Sequence, residues 1–276
     1  YEIMKDFSKK VGLLLLLLSV FSPGSHAQAP ADIELNKDLI GFYPFNGTTR
    51  DWSGNGNDLT SSKEENVFGF DRNVQPNKSA LLDDGNLSLK NTNNFLTGNS
   101  DFTISIWARL SDSNKQDSLK ILFASDTING FELSLSNWTK GKPVPEFYIG
   151  GRLVFGAALR SDELGMPLNY WHHFVLIREN GKILLLLNNK PTTEGIANLP
   201  INGKGFFFGG RERKREGEKT SHSWTGGLDD IRIYRRALSG PELSALHELE
   251  KPLDEDGDAL TNWDEVYIHK TDPERV

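Results

Sequence analysis

The stretch Trp224-Thr-Gly-Gly-Leu-Asp-Asp-Ile-Arg-Ile-Tyr-Arg-Arg-Ala-Leu238 decides the fold. A glycine pair opens it and a short strand pattern follows. Strict alternation turns Leu228, Asp230, Arg232 and Tyr234 one way and Asp229, Ile231 and Ile233 the other. The strand gives way at Ser239-Gly240-Pro241-Glu242. There Ser239 is placed to cap a helix that carries Leu243, Leu246 and Leu249 on one side.

Upstream, the chain reads as a succession of short strands. Residues 101–110 alternate, with Phe102, Ile104, Ile106 and Ala108 on one face and Thr103, Ser105, Trp107 and Arg109 on the other. Residues 121–124, 130–135, 146–149 and 153–155 continue the series. Residues 171–178 join 183–187 through Asn180-Gly181, a pair suited to a tight hairpin turn. The unbroken apolar run Ile183-Leu-Leu-Leu-Leu187 implies cover on both faces. Residues 39–47 give a first strand, which Pro44 favours as an edge. With no helical pattern before Glu242, the architecture is an all-β sandwich.

Three motifs sharpen this. Tyr43-Pro-Phe-Asn-Gly47 is followed by Asp51-Trp-Ser-Gly-Asn-Gly-Asn57, Trp171-His-His173 opens a strand, and Gly227-Leu-Asp-Asp-Ile-Arg-Ile-Tyr234 leads into Ala237-Leu-Ser239. In this order they resemble laminin G-like (concanavalin A-like lectin/glucanase) domains over residues 39–248. Asn188-Asn189 departs mildly, standing where that family usually has Asn-Gly. The resemblance implies a two-sheet antiparallel jelly roll, with calcium held where the two ends of the domain meet.

Composition narrows the function. The chain has no cysteine, so disulfides, thiolate metal sites and catalytic thiols are excluded. Its net charge of −7 is concentrated in residues 251–276, where three basic residues face eight acidic ones, a balance of −5. That balance argues against nucleic acid as a partner and points to cations. At the other end, Lys5, Lys9 and Lys10 precede an apolar run over 11–21 and small residues up to Ala27, the layout of a secretory signal peptide cut after Ala27. A membrane anchor or a buried helix is the competing reading, but the run is short for a span. Met4 as the start, or an open-ended fragment, would account for Tyr1 to Ile3. The expected organisation is signal peptide 1–27, linker 28–38, jelly roll 39–250 and an acidic segment 251–276.

Two places offer hard oxygen ligands for Ca²⁺. The first joins Asp51, Asn55 and Asn57 to Asp229, if the ends of the domain meet. The alternative is a turn satisfied by its own backbone, with a solvated aspartate pair elsewhere. The second runs from Asp254 to Glu265. It sets Asp254, Asp256 and Asp258 at loop positions 1, 3 and 5, the Leu260 carbonyl at 7, Asn262 at 9 and Glu265 at 12, the spacing that wraps a chain around one calcium ion. Ala259 replaces the glycine of position 6, at a cost of about 1 kcal/mol if φ must be positive. With Thr271-Asp-Pro273 behind it, the segment resembles a bacterial thrombospondin type-three-like repeat, either single or the start of a truncated array. A disordered acidic tail is the alternative.

Trp52, Trp138 and Trp224 are candidates for stacking on a sugar, with core packing the competing role for each. His172 and His173 face opposite ways on one strand and cannot act together. Arg211 to Lys219 is a charged hairpin tip that could touch an anionic glycan. Glycanases of this fold set two carboxylates on one strand, about 5 to 5.5 Å apart. Here Glu132 and Glu146 stand alone in sequence, so catalysis is not expected. The leading expectation is a secreted, calcium-stabilised, non-catalytic module that binds carbohydrate within a larger extracellular protein. The alternatives are an adhesive or structural spacer that binds protein partners and, more weakly, a divergent polysaccharide hydrolase or lyase.

Overall fold

The computed structural model describes residues 34–275 except 64–66, 90–95, 97, 112–118, 126–129, 140–141, 157–165, 202–204, 211 and 216–217. The side chains of 137–142 and 211–221 are also outside the description, as is the expected signal peptide. The strands in chain order are β1 (Leu39–Tyr43), β2 (Thr60–Ser61), β3 (Val67–Gly69), β4 (Ser79–Asp83), β5 (Leu87–Leu89) and β6 (Phe102–Leu110). They continue as β7 (Lys120–Ser125), β8 (Phe131–Thr139), β9 (Lys142–Ile149), β10 (Arg152–Phe155), β11 (Trp171–Glu179) and β12 (Lys182–Leu187). The series ends with β13 (Lys190–Ile196), β14 (Phe206–Phe208), β15 (Glu212–Arg215), β16 (Glu218–Ser221) and β17 (Thr225–Tyr234). Helix α1 (Gly240–Glu250) and a π-helical turn (Asp264–His269) follow.

Two antiparallel sheets make the sandwich. One runs β13-β12-β11-β6-β17-β4-β3 with β1 added on β17, and the other runs β10-β9-β8-β7-β14-β5-β2. Their inner faces enclose one apolar core. Phe102, Ile104, Ile106 and Ala108 of β6 enter it, as their alternation requires, and meet Phe131, Phe147, Phe206 and Phe208 from the other sheet. This is the all-β jelly roll expected from the sequence.

The outer face of the first sheet is also covered. Val175, Ile177, Leu186 and Tyr234 pack against Leu243 and Leu246 of α1, while Trp107 and Trp171 pack against Trp263 of the C-terminal segment. That cover explains the apolar run of β12. Ile183 and Leu185 face the main core, and Leu184 and Leu186 face the helix side. Gly227 makes room for the far edge of the Trp171 indole, since a Cβ there would sit 2.5 Å from it.

Two details of the deciding stretch differ from its reading. The pairing of β17 with β6 shifts between Asp229 and Arg232, and Asp230 takes φ +39°. This bulge inserts one residue, so Leu228, Ile231 and Ile233 share the core while Asp229, Arg232 and Tyr234 lie on the helix side. On α1 the buried set is Leu243, Leu246 and Glu250, and Leu249 is 65% exposed. Steps of three residues drift around a 3.6-residue helix, and the seventh position returns to the buried face.

Candidate functional site

The first candidate calcium site is organised differently from its expectation. Both oxygens of Asp51 already accept N–H or O–H donors. Oδ1 accepts from Phe42 and Ser53 at 3.0 and 2.8 Å, and Oδ2 from Asn57 N–H and the Ser53 hydroxyl at 2.9 and 2.8 Å. Asn55 and Asn57 donate their side-chain amides to the Leu39 and Ile40 carbonyls at 2.9 and 2.6 Å. The loop is therefore a backbone-satisfied turn strapped to β1.

Asp229 is engaged elsewhere. Its carboxylate takes Arg72 Nη1 at 2.5 Å, and Asp230 takes Nη2 of the same guanidinium at 2.6 Å. The β17 bulge turns both aspartates onto one arginine, so they do not point to opposite faces. Arg72 Nε donates to the Glu250 carbonyl, and its guanidinium lies 4.8 Å from the Trp107 ring centre. The Glu250 carboxylate accepts from Arg232 Nε at 2.6 Å and from the Trp107 indole at 3.2 Å. Burial pushes the Asp229 carboxyl well above its usual range, Asp230 adds to this, and Arg72 pulls against it. Glu250 is pushed up to about 7, chiefly by burial and Asp230, with Arg232 opposing. At the junction of the β3–β4 loop, the last strand and the helix, Asp229 is thus paired with a buried arginine, while Asp51, Asn55 and Asn57 are bonded within their own loop and to β1.

Beside this cluster, His173 stacks on Trp107 at 4.7 Å. Its Nε2 lies 2.7 Å from Ser105 Oγ and its Nδ1 lies 3.2 Å from Nδ1 of His247. Burial holds His173 well below the ordinary imidazole range, with His247 and Arg72 adding to the effect. Burial lowers His247 as well. His172 lies 3.1 Å from the Pro167 carbonyl, apart from this group.

The C-terminal loop gathers its acidic residues. Among the described residues, Asp254, Asp256 and Asp258 are the one group of three or more acidic or imidazole side chains whose ligand atoms lie within 4.8 Å of one another. Gly257 and Ala259 N–H groups donate to Asp254 at 2.8 and 3.1 Å, and Leu260 N–H donates to Asp258 at 2.7 Å. Ala259 has φ +77°, the angle for which its loop position usually carries glycine. Glu265 is buried. Its Oε1 accepts from Thr271 at 3.2 Å, whereas its Oε2, like Asp256 Oδ2, is buried with no partner among the described residues. Burial raises the Glu265 carboxyl, and Asp256, Asp258 and Asp254 raise it further. Such crowding of carboxylates fits a divalent cation held by oxygen ligands. Asn262 is turned aside, its amide bonded to Glu255 at 3.1 Å through both N and O, so it braces the loop.

The three tryptophans part company. Trp52 is 57% exposed on the loop whose backbone Asp51 bonds at Phe42, Ser53 and Asn57. Trp224 is fully buried and donates its indole N–H to the Arg109 carbonyl at 3.2 Å, which makes it a core residue unavailable for stacking on a ligand. Trp138 lies on β8 with its side chain outside the description.

Glu132 and Glu146 are separate in sequence but close in the sheet. Glu132 faces Tyr148 and Ser134 faces Glu146, so the two glutamates are diagonal neighbours on one face. Both are buried, with 3% and 5% exposure, and Tyr148 donates its hydroxyl to Glu146 at 2.9 Å. Sequence spacing concealed this pair because its members come from adjacent strands. A further polar hollow at the Asn180-Gly181 turn, of about 400 Å³, also passed unread.

No curated protein matches the chain by sequence. Among solved structures it is similar to domain 4 of AbnA, a GH43 extracellular arabinanase from Geobacillus stearothermophilus, in complex with arabinotriose. That match has 18% identity and TM-score 0.56, over 76% of this chain and 98% of that one. It is also similar to the binding domain of Paraclostridial Mosquitocidal Protein 1, with 22% identity and TM-score 0.59 over 78% of this chain and 52% of that one. A third is the botulinum neurotoxin serotype D ligand binding domain in complex with N-acetylneuraminic acid, with 14% identity and TM-score 0.59 over the same shares. The chain thus spans about half of each toxin structure. No helix among the described residues is long and apolar enough to cross a membrane. A family model matches residues 82–244, more than half of the chain, and with the two-sheet jelly roll it places the protein in the concanavalin A-like lectin/glucanases superfamily.

Proposed function

We propose that the chain is a secreted, non-catalytic carbohydrate-binding module whose C-terminal loop is locked by Ca²⁺. The observation that carries the binding role is Trp52, an indole more than half exposed on a loop that Asp51 holds rigid. A pre-set aromatic face stacks on a sugar ring without the cost of ordering a flexible loop. The structural neighbours that hold arabinotriose and N-acetylneuraminic acid support the ligand class.

Asp254, Asp256, Asp258 and Glu265 would hold the ion, which supplies the positive charge that the buried Glu265 and Asp256 oxygens lack. In this reading the segment acts as a calcium repeat that lies against the sandwich. Trp263 donates to the Asn169 carbonyl at 2.9 Å and packs on Trp171 at 5.8 Å. Its role is to clamp the end of the domain.

Glu132 and Glu146, diagonal on one face, favour glycan hydrolysis as a second reading, against which their burial counts. The test is a glycan array probed with the chain and with Trp52→Ala. Loss of binding in the variant supports the first reading. Product release from a polysaccharide, abolished by Glu146→Gln, would instead support the second.

A further inference from the structure

We propose that the hollow at one end of the first sheet, between the Asn180-Gly181 turn and residues 98–101 and 197–199, is a second saccharide site that takes the hydroxyl edge of one neutral sugar ring. For its ligand class this rests on the carbohydrate reading above; for its place it rests on its own geometry. The hollow measures about 400 Å³, at the small end for a ligand site. Residues 99–101, Arg178, Asn180, Gly181 and Asn198 line it, without an apolar side chain. That lining suits neither a lipid nor an aromatic ligand. It matches vicinal hydroxyls, each of which donates and accepts, as the amides and the carboxylate require.

The hollow is also pre-set. Arg178 is fully buried at the end of β11 and donates to the carbonyls of Gly98, Ala197 and Leu199 at 3.2, 3.2 and 2.9 Å, tying the two flanking segments together. Asp101 Oδ1 accepts the Asn180 N–H at 2.8 Å, and Ala197 N–H donates to the Gly181 carbonyl at 2.8 Å. Asn198 lies directly over Gly181, where a Cβ would come within 1.9 Å of its Oδ1. A rim fixed in this way loses little freedom on binding.

Several groups are left over. Asp101 Oδ2 and the side-chain amide nitrogens of Asn180 and Asn198 have no partner among the described residues, and the Nε–H of Arg178 is buried without one. The charges that line the hollow are one guanidinium and one carboxylate, which act on each other, while Glu179 and Lys182 pair across the base of the turn outside the lining. An anionic ligand would meet Asp101 and a cationic one Arg178, so a neutral, hydroxyl-rich ring is the ligand that fits.

The test is amide NMR of the ¹⁵N-labelled chain titrated with the methyl glycosides of arabinose, galactose and glucose, and with any glycan the array retains. The Gly181 amide and the side-chain amides of Asn180 and Asn198 should shift saturably with at least one of them. Asp101→Asn keeps the acceptor for Asn180 but removes the charge, and Asn198→Ala removes one amide. Each should weaken the titration by about tenfold while the rest of the spectrum stays in place. Shifts confined to the Trp52 indole would overturn this site and leave the proposed function standing. Affinity unchanged in both variants would also overturn it. No shift at either place with any of these sugars would overturn both.

Discussion

Arg72 shows how much a single side chain can hold. It comes from the loop between β3 and β4, yet it bonds Asp229, Asp230 and the Glu250 carbonyl, tying an early loop to the last strand and helix. Arg72→Met would strand the buried Asp229 and the half-buried Asp230, and the melting temperature should fall by about 10 °C, measured by calorimetry. Nothing in the spacing around Arg72 shows what it bonds, because one arginine in a loop carries no periodicity that points to distant partners. Its partners were visible only as an aspartate pair, of which Asp229 was offered to calcium. Ala259 was legible by contrast, since the loop spacing itself asks for a positive φ at that position, and the residue has φ +77°. Ala259→Gly should tighten calcium binding by about fivefold, equivalent to roughly 1 kcal/mol, read by titration calorimetry.

Among the elements, β6 was readable because its alternation is unbroken, and β17 was misread because the bulge at Asp230 resets the alternation. β13 passed unread. It is an edge strand, largely exposed, and its sequence Lys-Pro-Thr-Thr-Glu-Gly-Ile carries no apolar stripe. Helix α1 docks through His247 onto His173, and both imidazoles are held below their usual range by burial. Arg72 faces both, while Glu248 and Lys251 flank His247. The folded state therefore favours the neutral rings. Their contribution is full above about pH 6.5 and is lost as pH falls below it, because the unfolded chain takes up the protons first. Glu250, raised to about 7, acts in the opposite sense, losing its contribution as pH rises toward that value. The difference between two proteins isolates the histidine effect. In urea unfolding between about pH 7.5 and about pH 5.5, His247→Gln should lose less stability than the parent chain. An equal loss in both would exclude the imidazole contact as its source.

At the scale of the whole molecule, the C-terminal segment is joined to the sandwich through Trp263, over which the Arg109 guanidinium sits 4.7 Å from the ring centre. Calcium bound at Asp254 to Glu265 should therefore raise the melting temperature of the entire domain over that in chelator, by about 3 kcal/mol of stability at a hundredfold excess over Kd. Trp263→Ala should keep calcium binding but abolish most of that rise, which separates the clamp from the ion. The gathering of Asp254, Asp256 and Asp258 was legible from spacing, whereas the docking of their segment was not, since Trp171 and Asn169 lie some ninety residues away in sequence. One more property follows from the pairing of β1 with β17. Leu39 stands opposite Tyr234, and just outside that pair Arg236 grips the carbonyls of Glu34 and Lys37. Tension applied at Glu34 and Arg236 would open the two strands like a zipper, one rung after another from Leu39 and Tyr234 onward, instead of shearing the ladder at once. The Arg236 contacts form the tab that must be lifted first, so under mechanical load the domain should yield softly at its seam while the phenylalanine-rich interior stays closed.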